Sequence, residues 1–345
     1  MRDALFITFI LILIFVVIGV IYNISAPYLV KLGVREESVA LRNDGGLFRS
    51  LDFGRTWEHM PESGDLARSD VYELHFSPDN SNVIYIASSS GLYKSDDSGD
   101  KWERVALGSL SSVLSFAQDP NNSLRTYVAG DSDSGSHIFK TRQEDFYEVY
   151  SNTDDEIIGI WVDTFDTVTV YAGTRKGFFL ESKDFGESWR VNREFGASIR
   201  GLKILEDVMY VIVGDDTLFR SSNRGISWIN ITPRVSDIRQ VTVSPHNKNV
   251  LYLTSSDGLF RSQNRGDSFS KIDILAEDSS ELSAVALDAQ KPGVIYIGIG
   301  NQVHKTNDSG VTWQIKTMGT SRKINIIRVK PDTSNTIFVG VSSGL

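Results

Sequence analysis

One eight-residue pattern recurs along this chain, Ser-x-Asp-x-Gly-x-Ser/Thr-Trp, and its cleanest copy is Ser50-Leu51-Asp52-Phe53-Gly54-Arg55-Thr56-Trp57. It returns at Ser95 to Trp102, Ser182 to Trp189, Ser221 to Trp228, Ser262 to Phe269 and Thr306 to Trp313, with a worn copy at Thr141 to Tyr147. Taking Gly54, Gly99, Gly186, Gly225, Gly266 and Gly310, with Asp145 at the worn position, the steps are 45, 46, 41, 39, 41 and 44 residues. A period of that size marks an array of small supersecondary units.

Each pattern follows the same preamble, clearest at Val71 to Lys94. An apolar run leads to the turn Ser77-Pro78-Asp79-Asn80, then to Val83-Ile84-Tyr85-Ile86-Ala87 and to Gly91-Leu92-Tyr93-Lys94. Short β-branched and aromatic runs bounded by Pro, Asn, Asp and Gly are strands of antiparallel sheet. Three strands before each box and one after it make a four-stranded blade, so the chain is expected to be an all-β, seven-bladed propeller. A last preamble, Ile324 to Gly340, has no box after it, and the first box, at Ser50, has no full preamble before it. The ring is therefore expected to close by pairing N-terminal outer strands with C-terminal inner ones, which removes exposed edges. Both Val39-Ala40-Leu41 and Thr336 to Val341 are candidates for the second strand of that blade.

Within the box, the Ser or Thr hydroxyl and the Asp carboxylate are placed to accept amides of the following turn. Glycine supplies positive φ, and the Trp that opens the fourth strand caps the hairpin. The structural set is Asp52, Gly54, Trp57, Asp97, Gly99, Trp102, Asp184, Gly186, Trp189, Asn223, Gly225, Trp228, Asn264, Gly266, Phe269, Asp308, Gly310 and Trp313. A device repeated around a ring serves architecture, because catalysis needs one unlike set of groups in one place.

On these boxes the chain resembles the BNR or Asp-box propellers over residues 39–345. That family includes sialidases, xyloglucan-cleaving glycosidases, the sortilin ectodomain and the photosystem II assembly factor of chloroplasts and cyanobacteria. Its members mostly act outside the cytosol, which implies an extracytoplasmic propeller facing periplasm, lumen or exterior. Lys101 for Ser/Thr, Asn223 and Asn264 for Asp, Phe269 for Trp and the worn third box depart from the family pattern.

Residues 4–24 carry no charge over 21 positions, enough for a helix spanning a bilayer. After a short tail, 1–3, this run is expected to be a retained transmembrane anchor, because Pro27 obstructs cleavage after Ile24-Ser25-Ala26. A linker, 25–38, joins it to the ring. There is no cysteine, which excludes disulfides, thiolate metal sites and a cysteine nucleophile. The formal charge of -9 repels phosphate backbones, so nucleic acid is not an expected partner.

No sialidase Arg-Ile-Pro segment occurs; Arg175, Arg200 and Arg239 fall in different blades. Glycoside hydrolysis needs two carboxyl groups roughly 5 to 10 Å apart, and the candidate acids are Asp131, Asp133, Asp154, Asp155, Asp215, Asp216 and Asp257. Asp131-Ser132-Asp133-Ser134-Gly135 is a fragment of a calcium loop without its later Glu. His59, His75, His137, His246 and His304 lack ligand spacing, so no metal or cofactor is expected. The loops show few aromatics beyond Phe195 and Tyr150 as platforms for sugar.

The resulting expectation is a non-catalytic, membrane-tethered propeller that docks a protein as scaffold, assembly factor or accessory subunit of a membrane complex. Its candidate partner-binding loops carry Asp131, Asp133, Arg175, Lys176, Asp215, Asp216 and Asp257, which stand where other blades have residues such as Ser88-Ser89-Ser90. The alternative is a carbohydrate-binding or glycoside-hydrolase-like protein. The arginine-rich face implied by the photosystem factor contrasts with the acidic charge here.

Overall fold

The computed structural model describes residues 45–60, 64–108, 110–142, 145–274 and 282–343. Seven four-stranded antiparallel sheets account for its strands. In chain order, blade one starts at Val71–Phe76, two at Ser112–Asp119, three at Ile157–Val162, four at Ile199–Leu205, five at Ile238–Ser244 and six at Leu282–Leu287. Blade seven joins the two ends of the ring. Lys323–Val329 and Ile337–Ser342 are its first two strands, and Leu47–Ser50 and Glu58–His59 are its last two. Phe48 pairs with Val339 and Ser50 with Ile337, so the C-terminal candidate forms the second strand. Val39-Ala40-Leu41, the apolar run 4–24 and the linker 25–38 lie outside the described residues. Among the described residues no helix is long and apolar enough to cross a membrane.

Successive first strands touch one another from blade one around to blade seven and back to blade one, so they enclose the ring's axis. Each has a bulge near its start, for example between Val71 and Glu73 or Ile199 and Gly201. The bulge brings one residue of every first strand opposite a large aromatic of the second. The pairs are His75 with Tyr85, Ala117 with Tyr127, Trp161 with Tyr171 and Lys203 with Tyr210. Thr242 with Tyr252, Ala286 with Tyr296 and Arg328 with Phe338 complete the circle. These rings fill the space between blades, where the buried apolar clusters lie. Polar stitches join neighbouring first strands as well. Phe116 N donates to Glu73 Oε2 at 2.9 Å, Ile160 N to Ser115 Oγ at 3.1 Å, and Val285 N to Gln240 Oε1 at 3.0 Å.

The boxes adopt one conformation. Ser50 Oγ accepts the Gly54 amide at 2.9 Å and donates to Asp52 Oδ1 at 2.8 Å. Asp52 Oδ1 accepts the Arg55 and Thr56 amides at 3.0 and 2.9 Å, and Oδ2 accepts the Thr56 hydroxyl at 2.7 Å. Trp57 Nε1 donates to Gly54 O at 3.2 Å. Not only the glycine but the residue before it has positive φ, as with Phe53 at 64° and Gly54 at 81°. Where Asn replaces Asp, one bond changes direction: Asn223 Nδ2 donates to Ser227 Oγ at 2.9 Å, whereas Asp308 Oδ2 accepts from Thr312 Oγ1 at 2.6 Å.

The worn third copy is not a box. Gly135–Arg142 and Asp145–Asn152 pair from Arg142 with Asp145 outward, which leaves no length for the turn. Thr141 Oγ1 instead accepts the Thr126 amide from its own second strand at 2.8 Å. Six clasps, not seven, therefore close the hairpins between third and fourth strands.

Candidate functional site

Strand direction divides the ring into two faces. Boxes and the turns between first and second strands lie on one; hairpins between second and third strands, with the connections between blades, lie on the other. All seven loop residues singled out from the sequence fall on the second face, and so do Gly45 and Ser343, where the described chain enters and leaves the ring. The fold does not bring the seven into one place. They separate into two groups.

The first group lies between blades two and three. A hollow of about 360 Å³ is lined there by Asp131, Asp154, Asp155, Glu156, Arg175 and Lys176, with Ser, Thr, Asn and Gly side chains between them. Arg175 Nε donates to Glu156, and the Asp131 and Glu156 carboxyl groups act on each other's charge. Burial pushes the Asp131 carboxyl up, followed by the charge of Glu156, and the Arg175 bond holds Glu156 down. Asp155 is buried, and its Oδ1 accepts the Lys176 amide at 3.0 Å. Burial pushes the Tyr72 phenol up, and the charges of Asp70, Asp131 and Glu156 add to that. Asp133 is exposed and stands outside the hollow.

The second group spans blades four and five. Arg200 reaches Asp215 at 2.6 Å and Asp237 at 3.5 Å, and Arg239 reaches Asp237 at 2.7 Å. Asp216 Oδ1 accepts the Asp237 amide at 2.7 Å, and Asp257 Oδ2 accepts the Ser236 amide at 2.5 Å. These acids pin the connection between the two blades. Arg200 and Arg239 meet on Asp237 while Arg175 is bound to Glu156 in the other group, so the three do not form one trio around a substrate carboxylate.

Asp131 to Gly135 forms a hairpin turn. Ser132 Oγ lies 2.8 Å from His137 Nε2, and His137 Nδ1 lies 2.9 Å from Glu148 Oε2. That order matches a nucleophile, a base and an orienting acid. Blade one makes the same turn with Ser88, Ser90 and Tyr93, where the hydroxyls of Ser90 and Tyr93 are 3.1 Å apart. A phenol at the equivalent place is no base at neutral pH, so these bonds belong to the turn. Among the described residues no group of three or more His, Asp or Glu side chains is arranged to hold a metal.

Sequence reasoning missed Glu156 and Asp237. Both immediately precede a first strand, as Asp70 does in blade one, and that shared offset is the signal that marks acids at the seams between blades.

The BNR-Asp box repeat model matches residues 47–60, and the model for sortilin, neurotensin receptor 3, matches residues 216–343. No curated protein matches the chain. Among solved structures, a GH74 enzyme of Niastella koreensis superposes with TM-score 0.68 at 16% identity, over 79% of this chain and 51% of that one. The GH74 xyloglucanase of Xanthomonas campestris gives 0.66 at 17%, with the same coverage. YCF48 from Cyanidioschyzon merolae gives 0.63 at 12%, over 79% of this chain and 95% of that one. YCF48 bound to D1 peptide gives 0.63 at 13%, over 79% and 92%. The chain thus spans about half the length of the GH74 enzymes, and at these identities the likeness is one of fold. Box, blade and ring together make it a seven-bladed β-propeller with a BNR-Asp box repeat at residues 47–60.

Proposed function

We propose that this BNR-type propeller is a docking module and not an enzyme, with its loop face receiving a segment of a protein partner at the hollow between blades two and three. The observation that carries the reading is the lining of that hollow. It is polar and charged and contains no aromatic ring on which a sugar would stack. Its carboxyl groups are engaged within the fold, Glu156 by Arg175 and Asp155 by the Lys176 amide, whereas glycoside hydrolysis needs an acid and a base free to flank the bond. Backbone amides and charged side chains of a peptide suit such a surface.

The YCF48 ring, similar in size, has been solved with a peptide, which supports the same use of the fold. A partner in or at a membrane and an extracytoplasmic setting complete the proposal: scaffold, assembly factor or accessory subunit.

The test is crosslinking and mass spectrometry on the full-length chain in detergent, compared with Glu156→Lys and Arg175→Glu. A partner that crosslinks to residues 131–135 or 152–156 and is lost in both variants supports docking there. A partner retained by both, or crosslinked only to the box face, overturns it.

One observation favours the glycan alternative. A second hollow of about 340 Å³, between blades four and five, is lined by Phe260 and Phe269 beside Arg234, Asp267 and Ser268. Aromatic rings next to polar groups are what a carbohydrate site requires. Binding on a glycan panel that disappears with Phe260→Ala would move the function there.

A further inference from the structure

The register that puts an aromatic opposite each first strand also sets which side chains share one level around the axis. At that level stand three bases, His75, Lys203 and Arg328, and no acid; the other blades contribute short side chains such as Ala117, Thr242 and Ala286, or Trp161. Trp161 does not fill the axis, because its ring folds back over Gly159. One level nearer the loop face, Glu73 is the one ionisable side chain at the equivalent positions, and its Oε2 accepts both the Phe116 amide at 2.9 Å and the Ser115 hydroxyl at 3.0 Å.

The two permanent cations are poorly matched. Arg328 donates from one guanidinium nitrogen to the neighbouring Ile327 carbonyl at 3.0 Å. Lys203 has no hydrogen bond or ion pair among the described residues, and its side chain is exposed on the innermost strand Ile199–Leu205. The ring encloses both, and the enclosure pushes the Lys203 ammonium down. Arg328 pushes it further in the same direction, and also acts on His75, which burial and that charge hold at about 4. Blades four and seven are almost opposite in the ring, and Lys203 and Arg328 hold equivalent register positions on its innermost strands. A chain with formal charge -9 has thus placed two permanent cations on its innermost strands, of which Arg328 faces the charge of Glu73 and Lys203 has no acid partner; enclosure there strengthens attraction for an anion.

We propose that the axial channel binds an oxyanion, a carboxylate or phosphate group, between the Lys203 ammonium and the Arg328 guanidinium. The guanidinium offers a planar pair of donors, and the ammonium a mobile point charge that adjusts to the anion's size. His75, neutral near pH 7, stands at the same level as a further hydrogen-bonding group. The site lies inside the ring and is separate from the loop-face hollow, so it stands or falls independently of the docking reading.

The experiment is calorimetric titration of the full-length chain in detergent with inorganic phosphate and, in parallel, with acetate, together with melting curves. Saturable binding at one site per chain is expected, weakened roughly tenfold or more in Lys203→Gln and unchanged in Lys248→Gln on the outer surface. Response to phosphate alone identifies a phosphate ligand, and response to both identifies a carboxylate-sized site. Without anion, Lys203→Gln should melt no lower than the parent, because it removes repulsion from Arg328; with phosphate the parent should gain stability that the variant does not. A merely structural lysine would show the reverse. No saturable binding of either anion, or equal binding in Lys203→Gln and the parent, overturns the proposal. Arg328→Gln is a secondary variant, since loss of its charge beside Glu73 also affects folding.

Discussion

The hydroxyl of Tyr127 donates to the carbonyl oxygen of Phe185 at 2.8 Å, linking the second strand of blade two to the box of blade three. Phe185 is the positive-φ residue of that box, and the turn aims its carbonyl out of the hairpin at the preceding blade. The same link runs from Tyr210 to Arg265 O at 3.2 Å and from Tyr296 to Phe53 O at 3.4 Å. Phe338 has no hydroxyl, and there Arg49 donates to Ser98 O at 2.9 Å instead. The box is therefore a clasp in two senses, closing its own hairpin and fastening it to the neighbouring blade.

Tyr127→Phe keeps the buried ring and removes only the donor. Loss of one largely buried hydrogen bond should lower unfolding free energy by about 1 kcal/mol, measurable by urea denaturation. An unchanged midpoint would show that the Phe185 carbonyl is satisfied without it.

Gly186 and Gly225 have the same φ of 83°, but a methyl group on Gly186 would lie 2.8 Å from the Tyr127 ring, whereas on Gly225 its nearest neighbour would be 3.6 Å away. Both alanine variants should lose stability through backbone strain of roughly 1 kcal/mol or more, and Gly186→Ala should lose more. Equal losses would mean that the ring moves aside freely.

Asp52, Asp184 and Asp308 are held down to about 2, for Asp52 and Asp308 by bonds from the box and for Asp184 chiefly by the Ser188 hydroxyl and amide. The folded value lies below the ordinary carboxylate value of about 4, so ionisation stabilises the fold above about pH 4. That stability is lost as pH falls from about 4 towards 2. Asn223 and Asn264 build the same turn without titrating. The triple variant Asp52→Asn, Asp184→Asn, Asp308→Asn should fold at pH 7 and show a shallower loss of melting temperature in that window. A parallel acid profile would assign the acid sensitivity elsewhere.

Asp131 behaves oppositely. Its folded value is raised, so its ionisation costs stability as pH rises from the ordinary carboxylate value through the folded one. Asp131→Asn should remove that cost and melt no lower than the parent at pH 7, while Arg175→Gln, which strands Glu156 beside a second carboxylate, should melt lower. A lower midpoint for Asp131→Asn would show that its charge is used in holding the loop.

Trp102 and Trp189 occupy equivalent places, yet Trp189 Nε1 donates to Gly186 O at 3.1 Å and Trp102 Nε1 is buried without a partner. Replacement by Phe, the residue already present at Phe269, should therefore be less costly at Trp102 than at Trp189. Guanidinium melts of the two variants decide the order.

The sequence by itself determined the ring. A box depends on residues at most four apart bonding to one another, and strand, turn and glycine signals act over equally short spans, so blade count, strand order and the split closing blade were all legible. The worn copy misled because its identity depends on hairpin length, which the strand pairing of Gly135–Arg142 with Asp145–Asn152 decides. The candidate site was legible only as a face. Loop position placed Asp131, Arg175, Asp215 and Asp257 on the same side, but which of them meet depends on how neighbouring blades lean together. Only tertiary structure joined Asp131 to Glu156, bound Arg200 and Arg239 to Asp237, and set Lys203 and Arg328 at one level of the innermost strands. Asp131 and Glu156 are 25 residues apart and Arg200 and Asp237 are 37 apart, and these interactions are set by blade geometry around the axis; only the Arg239–Asp237 pair is local in the chain.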